Sequence, residues 1–302
     1  MHGYAIGVAL AVMLGGDLAG LAPEWARIEK DSGGTLGAAA RIVETGETIA
    51  LNGDGHFPMQ SVCKAPIAMA VLHDVDAGRL SLDAPVRVEA ADLVPAGMHS
   101  PLRDAHPQGG VAVPLREVLR LAVEESDGTA SDVLLRVLGG KAKAQGYLAG
   151  LGVEGIRIET TEGEIGRDFA AQYRSWASPL AAVAWLTALE RGQGVSPAGR
   201  ALLLGWMSTT KTFPTRLKGR LPAGTSVAHK TGSSGSRDGV SAATNDIGII
   251  TLPDGRHLAI AVFLRDSKAD AETRGRGHRE GRAGGVGSGG GEAMSHPRDT
   301  HG

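Results

Sequence analysis

A single cysteine, Cys63, stands in 302 residues, so no internal disulfide holds this chain together and cysteine usage does not report its redox compartment. Net charge is nearly as scarce. The 31 Lys and Arg set against 33 Asp and Glu leave −2 with His neutral, which removes any whole-chain attraction to nucleic acid or to an anionic membrane. The apolar block 6–14 is too short to span a bilayer. No His-x-His-x-Asp cluster is present, which argues against a zinc site of that kind. Lysine and arginine are missing before Arg27, and large apolar side chains nearly vanish after Arg274. Residues 275–302, rich in Gly, Arg and His, cannot bury enough surface to fold and are expected to form a disordered tail rather than a nucleic-acid-binding one.

What is there is ordinary soluble protein: 42% hydrophobic and 21% charged residues, in a chain long enough for a substantial core. The 6–14 block has the length of a signal-peptide core, with small residues following at Ala19, Gly20 and Ala22. A signal peptide over 1–22 is therefore expected despite the missing positive flank, and with it a periplasmic or secreted protein; a buried N-terminal helix and a mis-assigned start codon are the alternatives.

Two short strands, 37–43 and 48–51, read as a hairpin. Frequent proline, glycine and charge over 83–114 predict surface loops. Helices are predicted from Leu115 and from Ala130 to Leu138, with Glu125-Ser126-Asp127-Gly128 as their connection. Periodicity fails from Gly155 to Trp176, and a structureless stretch of that length in a compact domain is usually functional. Ser178-Pro179 and Ser196-Pro197 start two more helices. Strands return over 226–231, 246–252 and 257–264, the last two joined by an Asp-Gly turn at Asp254-Gly255. Strands at both ends with helices between predict one antiparallel sheet built from the two termini around a helical insertion.

Chemistry is suggested first by Ser61-Val62-Cys63-Lys64, which opens the apolar helix running on to Leu72. A serine and a lysine one turn apart lie on one face, and a lysine desolvated there can take the proton that makes the hydroxyl a nucleophile. Free backbone N–H groups at the helix start can stabilise an oxyanion. Alone, the pattern equally describes a capped helix. Ser126-Asp127-Gly128 and His229-Lys230-Thr231-Gly232 follow in order, each with a plain reading as a turn or a strand end.

Together these three elements resemble the signature of the serine β-lactamases and penicillin-binding proteins. The likeness covers about residues 30–268 and includes Phe57-Pro58-Met59-Gln60, His99-Ser100-Pro101-Leu102, Arg216-Leu217-Lys218-Gly219 and the run from Thr244 to Pro253. These are similar to class A β-lactamases, and Thr161-Glu162-Gly163 with Gln172-Tyr173-Arg174-Ser175-Trp176 resembles the PER and VEB branch. The resemblance implies an α+β (α/β) transpeptidase-like fold: a five-stranded antiparallel sheet flanked by helices (23–57 with 209–268), plus a mostly helical part (58–208) carrying an omega loop. It implies a monomer that hydrolyses β-lactam antibiotics with no metal and no cofactor. Ser61 would be the nucleophile, Lys64 and Ser126 the proton relays, and Glu162 the base for the deacylating water. The N–H groups of Ser61 and Ser233 would form the oxyanion hole. Lys230, Thr231, Gly232 and Arg216 would anchor the substrate.

Three departures qualify the resemblance. Gly128 and Gly166 stand where the family usually carries asparagines, predicting altered substrate preference and slower deacylation. Cys63 replaces a larger apolar residue and is expected to pack as a small hydrophobe. Asp270 to Arg274 reads as the start of a closing helix whose apolar stripe never arrives, which predicts a shifted reading frame there. A D,D-peptidase and a β-lactam-binding protein with impaired deacylation are the alternatives.

Overall fold

The computed structural model describes residues 18–270. The core of the expected signal peptide (1–17) and the expected tail (275–302) lie outside the described residues.

Five antiparallel strands form the main sheet: β1 (Thr35–Ile42), β2 (Thr48–Leu51), β3 (Val227–Ser233), β4 (Thr244–Thr251) and β5 (His257–Arg265), in the order β2-β1-β5-β4-β3. The last strand therefore returns to the sheet centre and pairs with the first, Ala38 opposite Val262 and Ile42 opposite Leu258. Alternation along β5 divides its side chains between two buried faces. Ile260, Val262 and Leu264 meet Leu21, Trp25 and Ile28 of helix α1 (Leu21–Ser32). Ala259, Ala261 and Phe263 face the helical part of the molecule. The start of α1 bears on the expected signal boundary: a cut at 22 falls inside this helix and would remove Leu18 and Leu21, both buried against the sheet.

The helical part is arranged around α2 (Lys64–Asp76), whose residues are buried continuously from Lys64 to Leu72. It is enclosed by α3 (Leu115–Val123), α4 (Gly128–Leu138), α5 (Lys141–Gly150) and α8 (Pro197–Thr209). Between α5 and α8 come the six-residue helix α6 (Glu162–Arg167) and α7 (Pro179–Glu190), the latter packed on β1 and β5. Ser178 and Ser196 accept N-cap bonds from Ala181 and Gly199, with Pro179 and Pro197 at the first helical position, as their sequence predicts.

Three elements differ from expectation. The stretch 83–114 holds a hairpin pairing Pro85–Val88 with Val111–Pro114 and a short helix, Pro101–Ala105, capped by Ser100; proline at the strand ends hid the pairing. Helix α5 buries only Ala144 and Leu148, and its two glycines mask its period. The α-helix carrying Ser61 begins only at Lys64, so the serine sits in a preceding 3-10 turn, Gln60–Cys63.

Candidate active site

The Ser61 turn is held from the sheet side. Asn245 on β4 donates from Nδ2 to the carbonyls of Pro58 and Met59, at 2.8 and 3.1 Å. Gly232 on β3 lies so close that a Cβ there would meet the Met59 carbonyl oxygen at 2.5 Å, so the approach of strand to turn requires glycine. Gln60 adopts φ +50°, unusual for a side-chain-bearing residue, and its amide donates to Gln172 in the long loop. Strain of this kind persists only where surrounding contacts over-determine it, as three elements do here.

Ser61 Oγ lies 2.7 Å from Lys64 Nζ. The same ammonium donates to the Ser126 carbonyl at 3.0 Å and pairs with Glu162 Oε1 at 2.8 Å. Lys64 and Glu162 are both buried, so this pair operates where water screens little.

Ser126 is also left-handed, at φ +61°. Asp127 fixes its turn by accepting from Ala130 N, Leu102 N and Ser100 Oγ. Lys230 Nζ donates to Ser126 Oγ at 2.9 Å, which leaves the serine's own hydrogen free to be given away. Burial, reinforced by the charge of Lys64, holds the Lys230 ammonium down to a pKa of about 7.

Glu162 is carried in by the 155–176 loop. The first turn of α6 is held by a capping box, Thr161 with Glu164, and by Asp132 of α4, whose oxygens accept from Glu162 N at 2.7 Å and Gly163 N at 2.8 Å. Burial pushes the Asp132 carboxyl up to about 6 against these two bonds, and the charge of Glu162 adds to the rise. Cys63 is buried below the turn, its thiol pushed up to about 12 by burial, and so packs as an inert small hydrophobe.

The chain thus brings Ser61, Lys64, Ser126, Glu162 and Lys230 into one connected set. Thr231, Gly232 and Ser233 continue along β3 beside it, with the Ser233 hydroxyl buried and without a hydrogen-bond partner. Arg216 lies behind this strand. Its side chain is fully buried, donating to the carbonyls of Gly232 (3.0 Å) and Asn245 (2.7 Å) and stacked on Phe213. It thereby braces β3 and places a positive charge beneath it. No cluster of His, Cys, Asp and Glu suited to a metal occurs among the described residues.

The two unusual glycines are close approaches, not open space. A Cβ at Gly166 would meet Met98 Cγ at 2.9 Å and Pro95 Cδ at 3.0 Å, and one at Gly128 the His99 carbonyl oxygen at 3.2 Å. The loop before Ser100 therefore occupies the room that side chains at these positions would need. Sequence reading missed Asp132 and gave Asn245 no role; the only available signal was the position of Asn245 inside the quoted Thr244–Pro253 run.

The family model described as the beta-lactamase enzyme family matches residues 20–278. The extended-spectrum beta-lactamase PER-1 of Pseudomonas aeruginosa is 41% identical over 79% of this chain and 77% of its own. Beta-lactamase VEB-1 of the same organism is 40% identical over 75% and 76%. Among solved structures, a beta-lactamase from Chitinophaga pinensis is 44% identical with a TM-score of 0.80, covering 84% of this chain and 93% of that one. The TLA-1 extended spectrum beta-lactamase superposes with a TM-score of 0.78 at 41% identity, over 82% and 91%.

Proposed function

The chain belongs to the β-lactamase enzyme family as a class A member, and we propose that it hydrolyses β-lactam antibiotics through an acyl-enzyme on Ser61. Hydrolysis of these compounds is antibiotic resistance, the activity its relatives are named for. The observation that carries the reading is the position of Lys64 Nζ, 2.7 Å from Ser61 Oγ and 2.8 Å from Glu162 Oε1.

Passing one proton from Lys64 to Glu162 leaves an amine beside the Ser61 hydroxyl, and this amine takes the hydroxyl hydrogen as Oγ bonds to the lactam carbonyl carbon. Glu162 acting directly as the base is the other route. The N–H groups of Ser61 and Ser233 receive the charge on the former carbonyl oxygen. As the ring C–N bond breaks, Ser126 gives its hydrogen to the departing nitrogen and is refilled from Lys64, which takes back the proton held by Glu162. Lys230 faces the substrate carboxylate, with Thr231 beside it and Arg216 behind. Glu162, a carboxylate again, takes a proton from water, whose oxygen attacks the ester carbon; as the ester C–O bond breaks, a proton passes through Lys64 to Ser61 Oγ and restores the hydroxyl.

No helix among the described residues is long and apolar enough to cross a membrane. We further propose a monomer exported to the periplasm or medium, its mature chain beginning before Leu18 so that the apolar seal on β5 stays complete. The division into a sheet part (23–57 with 209–268) and a helical part (58–208) then sets Lys230 on one side of the cleft and Ser61, Ser126 and Glu162 on the other.

Nitrocefin tests the function: continuous colour development supports it. A stoichiometric burst with no turnover favours a β-lactam binder, the reading that the crowded Gly166 position would suit. Cleavage of a D-Ala-D-Ala peptide in place of nitrocefin favours a peptidase.

A further inference from the structure

Three threonines form a hydroxyl chain at the edge of the cleft. Thr210 Oγ1 donates to the Glu124 carbonyl at 2.8 Å, two residues before Ser126. Thr212 Oγ1 stands 3.0 Å from Thr210 Oγ1 and 2.8 Å from Thr231 Oγ1. Each hydroxyl has one hydrogen to give. With that of Thr210 spent on Glu124, Thr212 must be the donor to Thr210, and Thr231 the donor to Thr212. Thr231 is 1% exposed, whereas Thr212 is only half-buried. Thr212 is therefore the more accessible of the two residues that share this hydrogen bond.

We infer that Thr212 is a substrate-binding residue that donates to the β-lactam carboxylate beside Lys230. The inference rests on the function proposed above. A single rotation of the Thr212 hydroxyl toward the anion leaves every other member satisfied. Thr210 still accepts from the Thr212 backbone N–H at 3.3 Å, and Thr231 still donates to Thr212. The bond gained is to a charged acceptor, stronger than the neutral one given up. Turning Thr231 instead would move a hydroxyl that is nearly closed off.

The test compares benzylpenicillin with its methyl ester, which lacks the anion, on the full chain and on Thr212→Val and Thr212→Ser. Thr212→Val is expected to raise KM for benzylpenicillin at least fivefold with kcat within twofold, and to leave kcat/KM for the ester within twofold. Thr212→Ser is expected to restore the benzylpenicillin value. An unchanged KM for the acid, or an equal loss on acid and ester, overturns the inference. Thr212→Ala, read the same way, replaces the valine variant if that one does not fold. Absence of benzylpenicillin hydrolysis by the unmutated chain would instead count against the proposed function.

Discussion

Lys64 and Glu162 meet at 2.8 Å in a place nearly closed to solvent. Breaking such a pair leaves one uncompensated charge, which typically costs about 3–5 kcal/mol. Lys64→Met is expected to lose stability of that order in urea unfolding and to lower kcat/KM by roughly 10³-fold or more, since the proton path from Ser61 goes with it. Adding Glu162→Leu should recover much of the stability and none of the activity.

Lys230 sets an alkaline limit. With its pKa lowered to about 7 by burial and by Lys64, the ammonium is charged below that pH and neutral above it. The charge attracts the substrate carboxylate, so kcat/KM should fall as pH rises through about 7, mainly through KM. Lys230→Arg keeps its charge throughout and should move the falling limb upward by more than one pH unit. A pH profile of both proteins on one penicillin decides it.

Asp132 sets an acid limit on the second step. Its carboxylate accepts from Glu162 N and Gly163 N, and its pKa is raised to about 6. Below that pH one oxygen carries a hydrogen and is no longer a good acceptor, so the turn bearing Glu162 loosens. Asp132→Ala strands both N–H groups, at about 1–3 kcal/mol each where buried. Single-turnover measurements should show deacylation slowed roughly tenfold or more in this variant, with acylation changed less.

Gly232 tests the strand-to-turn approach. A Cβ would need space now held by the Met59 carbonyl 2.5 Å away, so Gly232→Val must push the Ser61 turn aside. Displacements of about 1 Å at a reacting centre cost on the order of 10²-fold in rate. Thermal unfolding and kcat should both drop, and a crystal structure should show residues 59–61 displaced.

The legible part of this site was whatever local spacing determines. Ser61 and Lys64 are one turn apart in sequence and in space, and Ser126 falls in a helix connection that Asp127 and Gly128 announce. Gly232 needed to be glycine because of a neighbour 173 positions away by number (232 − 59), and no local pattern states that. Asn245 likewise supports Ser61 across 187 positions, and Asp132 reaches Glu162 across 30. Both look like ordinary strand and helix residues until the fold is known. The bonds of Arg216 to the Gly232 and Asn245 carbonyls were equally hidden, since they join positions 16 and 29 apart. The sheet was readable from short apolar runs bounded by turn residues, as at β1 and β5. The hairpin of 85–88 with 111–114 was not, because its pairing is set by tertiary context.

The most direct test of the acyl-enzyme account is intact mass followed over time after mixing with benzylpenicillin. Glu162→Ala should hold an adduct equal to the whole antibiotic, the unmutated chain should show that adduct only transiently while product accumulates, and Ser61→Ala should show none. An adduct on Ser61→Ala, or turnover by Glu162→Ala as fast as by the unmutated chain, would contradict it.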